Sequence, residues 1–583
     1  MSESAAVETM RHSLSHVMAA AVKDLFGTKT TLQFGIGPAI EKGFYYDIDF
    51  GDLKLGEEAL AKIEQKMRAI IARGLAFERE EKTLQEAIEW AESNHQTYKL
   101  ELIKELPENE KISFYRLGDF TDLCRGPHLA NTGEIGAFKL TKIAGAYWRG
   151  DEKRKMMTRI YGVAFAKQEE LDKYLIQQEE AKRRDHRRLG KEMDLFTFSE
   201  LVGSGLPLFT PRGTVLRDTL NVFTQGYRMR CGYQKVCVPH IANIELYKTS
   251  GHFQKFPELM KFISEESGDA LALKPVNCPH HSQIYASQPR SYKDLPIRYL
   301  ETTTVYRDER KGELGGLSRV RSITQDDSHI FCREDQVEEV FGELIEAAKD
   351  LYAQVDMALR LRLSFRDDGD GYIGDAAMWE SAQQSIQKMA DHFEMNYEIA
   401  EGEAAMYGPK MDFMVMDALG REWQLATVQL DCALPKRFNL EYTDEDGLKK
   451  TPVMIHCALI GSIERFMSVF IEHTAGWFPF WCAPEQVRVL AINDDVKAYA
   501  QKVEAELAKV ILNEPIEYNK LRYTVDARNE SLGKKIKEAT LLKIPCLIIV
   551  GPRDAKNQEV SLRLKDQELQ VKLKDLAAYL EQL

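Results

Sequence analysis

The stretch Thr303-Thr-Val-Tyr-Arg-Asp-Glu-Arg310, followed by Arg319-Val-Arg-Ser-Ile-Thr-Gln-Asp-Asp-Ser-His-Ile-Phe331, constrains this chain more than any other. It reads as a strand–loop–strand hairpin carrying several arginines, a carboxamide, paired carboxylates and one histidine. Alternating strand residues point such groups into one cleft, and arginine's planar fork suits phosphate. A further arginine lies far downstream in Gly461-Ser-Ile-Glu-Arg-Phe466, at the head of an apolar, helix-like run. Arginines from two distant segments meeting on a nucleoside triphosphate form a phosphate-activation arrangement.

The rest of the chain suits a large enzyme. At 583 residues it is long enough for about three or four domains, each with its own core. Hydrophobic content of 44% with 29% charged residues is that of a globular protein, and no apolar run approaches the ~20 residues needed to span a bilayer. The acidic start, Met1-Ser-Glu-Ser-Ala-Ala-Val-Glu, is followed by no apolar stretch of the secretory type. Nine cysteines without a C-x-x-C pair suit a reducing, cytoplasmic setting. The formal charge of −13 argues against nonspecific nucleic-acid binding but leaves local basic surface available for RNA. One such stretch is Ala181-Lys-Arg-Arg-Asp-His-Arg-Arg-Leu-Gly-Lys191, equally readable as a solvated helix face.

Four regions separate. Residues 1–175 mix helices with short strands and lead into a connector helix over Lys167–Lys191. Residues 191–482 carry every candidate for nucleotide chemistry. The proline-bearing Trp477-Phe-Pro-Phe-Trp-Cys-Ala-Pro484 reads as a linker. From residue 485 to 583, strand Val487–Ile492, helix Asp495–Ile511 and strand Pro545–Gly551 follow the rhythm of a small parallel-type α/β domain.

Two clusters have metal-like donors. Cys278, His329 and His456 come from separate segments, and their spacing alone is not diagnostic. His12-Ser-Leu-Ser-His16 places two histidines one helical turn apart, and Thr121-Asp-Leu-Cys-Arg-Gly-Pro-His128 adds Cys124 and His128. Ser13 stands where a zinc peptidase needs glutamate, which disfavours that reading, while a structural zinc remains chemically reasonable.

Together these segments resemble motifs 2 and 3 of the class II aminoacyl-tRNA synthetases, with the threonyl branch nearest, over nearly the whole chain from about His12. The resemblance implies an α+β multidomain fold: an α+β editing domain, a class II catalytic domain on an antiparallel sheet, and a C-terminal α/β anticodon-binding domain. The implied activity is ATP-dependent formation of threonyl-adenylate, then transfer to the 3′ end of the tRNA specific for threonine. Arg307 and Arg465 would hold the α- and γ-phosphates of ATP with Mg²⁺, and Arg319 and Lys410 would add positive charge. Cys278, His329 and His456 would hold one Zn²⁺ per subunit. Asp327, Gln325, Tyr407, Gln424, Thr427 and Gln429 would line the amino-acid and adenylate cleft.

A metal that chelates the substrate amino group and β-hydroxyl rejects valine, whereas serine lacks only a methyl, worth ~1–3 kcal/mol. Editing is therefore expected. The resemblance places it at His12, His16, Cys124 and His128, with Asp122 and Lys99 as polar partners, hydrolysing mischarged seryl-tRNA. Arg528, Asn529 and Arg563 are the implied tRNA contacts, and Gly232-Tyr-Gln-Lys-Val-Cys-Val-Pro239 fits the motif 1 of a homodimer. Neither DNA nor a membrane is an expected partner. The ubiquitin-like domain that many bacterial members carry ahead of the editing motif is absent here, which implies a short form.

Some residues depart from the family pattern. Ile323 stands where an aromatic residue stacks on adenine, Asp308 follows Arg307 where asparagine is usual, and His280 and Cys457 offer spare soft ligands beside the metal. Ile323 and the altered motif 2 loop are the sole support for an alternative, a catalytically weakened paralogue acting mainly as a seryl-tRNA deacylase or a tRNA-binding protein. A ligase for another amino acid is disfavoured by the zinc triad together with Asp327.

Overall fold

Polar residues alternate with apolar ones in Glu422–Asp431, Ser322–Cys332 carries an unbroken polar run from Thr324 to His329, and both strands lie inside one eight-stranded sheet. The computed structural model describes residues 3–107, 111–257, 260–263, 270–369, 371–512 and 520–583, so the tip at residues 1–2 lies outside it. In spatial order the sheet runs Gln234–Lys235, Ile297–Tyr306, Ser322–Cys332, Val453–Ala458, Glu422–Asp431, Lys410–Met416, Leu359–Phe365, Tyr397–Glu401. Its two outermost pairs are parallel and all inner pairs antiparallel.

One face of this sheet packs on the amphipathic helices Val337–Gln354 and Ile463–Thr474. The first buries Val340, Phe341, Leu344, Ile345, Ala348 and Leu351, the apolar stripe of a 3.6-residue period. The opposite face keeps its polar residues for the site.

The chain divides into two compact units, residues 1–179 and 180–583. In the first, helix Glu3–Phe26 lies on an antiparallel sheet that includes Gly43–Asp49, Met156–Phe165 and Ala137–Tyr147. A separate three-stranded sheet, Glu78–Lys82, Ile112–Leu117 and Phe120–Leu123, carries the chain toward Cys124.

Two local expectations are corrected and a third is extended. The connector is not one helix: Gln168–Arg184 stops and His186–Glu192 restarts, because Asp185 leaves helical geometry and its carboxylate accepts the Arg187 N–H at 2.8 Å. The Trp477–Pro484 segment is packed rather than loose, with Phe478, Cys482 and Ala483 buried in the main core. The C-terminal sheet is mixed. Tyr523–Asp526, Val487–Ala491 and Cys546–Val550 are parallel, but Glu559–Arg563 and Glu568–Lys572 add an antiparallel hairpin. Both strands of that hairpin, Glu-Val-Ser-Leu-Arg and Glu-Leu-Gln-Val-Lys, alternate polar and apolar residues, with Val560, Leu562 and Val571 buried.

Among the described residues no helix is long and apolar enough to cross a membrane, and none of the nine cysteines forms a disulfide.

Candidate active site and a second pocket

Cross-strand register assembles the main site. His329 sits opposite His456, His456 opposite Gln429, and Gln429 opposite Lys410, so four residues from four strands form one row on one face. One pleat further along the same face lie Asp327, Thr427 and Asp412, and beyond Asp327 lies Gln325. Cys278 opens the helix Cys278–Ala286, and its thiol joins His329 and His456, with one donor atom of each within 4.8 Å of the others. All three are buried.

Outer partners orient these donors. The His329 and His281 Nδ1 atoms are 2.8 Å apart, and His456 Nε2 is 2.8 Å from an Asp431 carboxylate oxygen. His281 in turn faces Glu301, which also accepts from the Asn277 amide at 2.9 Å. A buried Cys/His/His trio with supported imidazoles fits a divalent soft-to-borderline ion, and a protein set of three leaves coordination positions for a ligand. The suggested spare ligands fall away. Cys457 points to the opposite face, opposite Ser328 and Val428, where its carbonyl accepts from Arg228 and from Ser328. His280 turns toward Tyr247 with neither ring nitrogen partnered, and His281 takes the place beside the trio.

The polar floor is tied together by Asp412. Its carboxylate accepts from Ser364 at 2.7 Å, Gln424 at 2.7 Å and Thr427 at 2.9 Å, and pairs with Lys410 at 3.1 Å. Gln424 and Thr427 are three apart, so simple alternation would send them to opposite faces. A bulge at Leu425, where Met414 pairs with Gln424 but Phe413 with Ala426, brings both to the same side. Tyr407 stacks on His456 at 4.6 Å and donates to Gln429 at 2.7 Å. Ile323 shares the face of Gln325 and offers an apolar surface.

At the edge of this floor the arginines gather. Arg307 donates to the Pro275 carbonyl at 3.3 Å, and Arg465 to the Ser318 carbonyl at 3.0 Å. Burial, and behind it the charges of Arg319 and Arg307, push the Arg465 guanidinium below its ordinary value. Burial likewise lowers Arg307. Clustered, partly desolvated cations of this kind suit a polyanion. Arg319 is engaged by Glu309 at 2.8 Å and Glu313 at 3.0 Å, so an anion would reach it in competition with two carboxylates.

The second pocket lies within the N-terminal unit. Helix Glu3–Phe26 presents His12 and His16 on one face, and the loop after Phe120–Leu123 brings Cys124 and His128 to within 4.8 Å of them. The Cys124 sulfur is 3.3 Å from both His12 Nε2 and His128 Nε2. His12 Nδ1 faces the Pro127 carbonyl at 3.2 Å, and His128 Nδ1 faces the Ser13 hydroxyl at 3.2 Å, whose proton goes to the Thr9 carbonyl. Both Nε2 lone pairs therefore point at the sulfur. Burial holds all three imidazoles below their ordinary value and pushes the Cys124 thiol up to about 11. Beneath them Lys99 pairs with Asp122 at 2.7 Å, and the Tyr46 hydroxyl donates to the same carboxylate.

The C-terminal candidates do not converge. Arg528 is held by Asp526 and Glu538 at 2.6 Å each, Arg563 pairs with Glu568 at 3.4 Å, and Asn529 is exposed. Sequence reasoning did not assign His281, Glu301, Asp431 and Asp412. The doubled histidine after Cys278 and the acidic end of the Trp423–Asp431 run were the available signals.

Comparison with known proteins points one way. Residues 260–474 match the family described as "tRNA synthetase class II core domain (G, H, P, S and T)", residues 112–161 the "Threonyl and Alanyl tRNA synthetase second additional domain", and residues 486–583 the "Anticodon binding domain". The chain is 47% identical over 570 residues to a threonine–tRNA ligase of Deinococcus deserti, covering 97% of this chain and 86% of that protein. Against the corresponding protein of Deinococcus radiodurans it is 48% identical over 565 residues, 96% of this chain and 85% of that one. Among solved structures, the RNA-binding domain of threonyl-tRNA synthetase from Cryptosporidium parvum superposes with TM-score 0.63 at 34% identity, over 68% of this chain and 98% of that one.

Proposed function

The chain belongs to the threonine–tRNA ligases, a class II family, and we propose from that premise that it makes threonyl-tRNA and removes seryl-tRNA made in error. Threonine, ATP and the tRNA specific for threonine are its substrates. Residues 191–482 carry the ligase, residues 1–175 the editing activity, and residues 485–583 the anticodon contact through Arg528, Asn529 and Arg563. It works as a homodimer in the cytoplasm, a reducing setting that suits nine cysteines outside any disulfide.

The observation that carries the reading is the single sheet face holding His329, His456, Gln429 and Lys410 in one register row beside the arginines. Cys278, His329 and His456 would hold Zn²⁺, which when bound supplies open positions for the threonine amino group and β-hydroxyl. Asp327 stands where it accepts from that hydroxyl, and Tyr407 and Gln429 form the wall toward the amino group. Arg307 holds the α-phosphate and Arg465 the γ-phosphate of ATP, with Mg²⁺ as counter-ion and Arg319 and Lys410 adding charge. The threonine carboxylate attacks the α-phosphorus and pyrophosphate leaves. The protein's part is to orient the two reactants and stabilise the charge on the departing phosphates.

In the N-terminal pocket, His12, His16, Cys124 and His128 position the water that cleaves the seryl ester, and the neutral imidazoles are able to take its proton. Lys99 and Asp122 hold the wall. The weakened-paralogue alternative is not favoured, since the phosphate arginines and the metal donors are all in place.

Threonine-dependent ATP–pyrophosphate exchange on zinc-replete protein tests the ligase, with serine and valine alongside. Strong exchange with threonine, weaker with serine and none with valine is the expected result. No exchange with any amino acid despite bound zinc would refute it.

A further inference from the structure

The helix Ile463–Thr474 carries Arg465 in its first turn and Glu472 in its last, seven residues apart and so on one face of the helix, about 10 Å along its axis. Both ends meet the same loop. Arg465 Nε donates directly to the Ser318 carbonyl at 3.0 Å. Glu472 reaches the neighbouring residue through an intermediary, the buried His186 of the restarted connector helix. His186 Nδ1 is 2.6 Å from Glu472 Oε1, the His186 backbone N–H donates to the same oxygen at 3.0 Å, and His186 Nε2 lies 3.0 Å from the Leu317 N–H.

One tautomer satisfies this geometry. Glu472 is doubly engaged, since its other oxygen accepts from Arg421, which is itself held by Asp417. A carboxylate so placed only accepts, so Nδ1 carries the proton. The Leu317 amide only donates, so Nε2 carries the lone pair. The fit is tight: a Cβ added to Gly316, which already has φ +61°, would come within 2.3 Å of His186 Nε2. Leu317, Ser318 and Arg319 are thus anchored in succession, to His186, to Arg465 and to Glu309.

Asp185, His186 and Glu472 also bring three possible metal donors together. That reading fails on their partners. Asp185 is bound by Arg187, and Glu472 by Arg421 and His186, which leaves two guanidiniums where a cation would need to sit.

Resting on the ligase reading above, we infer that His186 is a positioning residue for adenylation: it pins the loop end through Leu317 and so fixes the Ser318 carbonyl that aims Arg465 at the triphosphate. Two substitutions separate the two ring nitrogens. His186→Asn keeps a donor near Nδ1 and leaves nothing at Nε2; His186→Gln puts an amide oxygen near Nε2.

In ATP–pyrophosphate exchange, His186→Asn is expected to raise the KM for ATP roughly tenfold while the KM for threonine holds, and His186→Gln to recover most of that loss. Hydrogen exchange read at the Leu317 amide is slow in the unsubstituted chain and in His186→Gln, and fast in His186→Asn. Equal ATP KM values in His186→Asn and the unsubstituted chain, or His186→Gln as impaired as His186→Asn, would overturn the inference. An unprotected Leu317 amide in the unsubstituted chain would do the same, whether or not either variant folds. Absence of exchange in the unsubstituted chain would count against the ligase reading, and the Leu317 measurement then decides the positioning role by itself.

Discussion

Burial lowers both Arg307 and Arg465, and the charges of Arg319 and Arg307 lower Arg465 further, so on the ligase reading an arriving triphosphate relieves an unfavourable placement of charge. Alanine at either position should therefore cut kcat/KM for exchange by about 10²–10³, with the fold unchanged by circular dichroism. His281 lies outside the donor trio but touches His329 at 2.8 Å. His281→Ala should lower zinc affinity by about 10–100-fold, read by competition with a chromophoric chelator. Chelating the metal from the unsubstituted protein should abolish threonine exchange, and readdition of Zn²⁺ should restore it. The sequence displayed the donors plainly, but His281 only as the second of two adjacent histidines. Nothing in the order of letters says which of the pair turns inward.

At the scale of the element, strand Ser322–Cys332 has a working face and a structural one. Behind Gln325 and Asp327, Asp326 is fully buried and pairs with Arg228, and its other oxygen accepts the Leu459 and Ile460 N–H groups at 2.9 and 3.0 Å. Arg228→Ala strands that carboxylate, and chemical denaturation should show a loss of about 3–5 kcal/mol. The motif 3 helix begins on Ser462, whose hydroxyl accepts the Arg465 N–H at 3.2 Å. Ser462→Ala should cost about 1 kcal/mol in the same assay. Strand Glu422–Asp431 was legible from its alternation. The bulge at Leu425 was not, because it is created by pairing with Lys410–Met416 and leaves no trace in Glu422–Asp431 alone.

Across the whole molecule, the long-range ties of the second unit run through ionised carboxylates. Burial pushes Glu472 up, but hydrogen bonds from His186 and Arg421 outweigh it and leave the group below its ordinary value; Asp417, hydrogen-bonded by Arg421 and Trp423, behaves alike. A carboxyl held low in the folded state contributes stability above its unfolded value, ~4, and loses it as pH falls through the folded one. The melting temperature should thus drop steeply below about pH 4. Glu472→Gln should flatten that slope at a lower starting stability.

The sequence by itself determined the enzyme class and the α+β architecture, and it displayed the candidate residues, since arginines, histidines and a cysteine are costly to place without partners and so stand out as letters. It also carried the alternation that makes Gln325, Asp327 and His329 share a face. Tertiary structure decided the rest. Register put His329, His456, Gln429 and Lys410 in one row although His329 and His456 are 127 positions apart in the sequence. It sent Cys457 to the back of the sheet, broke the connector at Asp185, and turned His186 from part of a basic run into the link between Glu472 and Leu317. Such outcomes depend on which strand lies beside which, and that is settled by packing of the whole core rather than by any local run of residues.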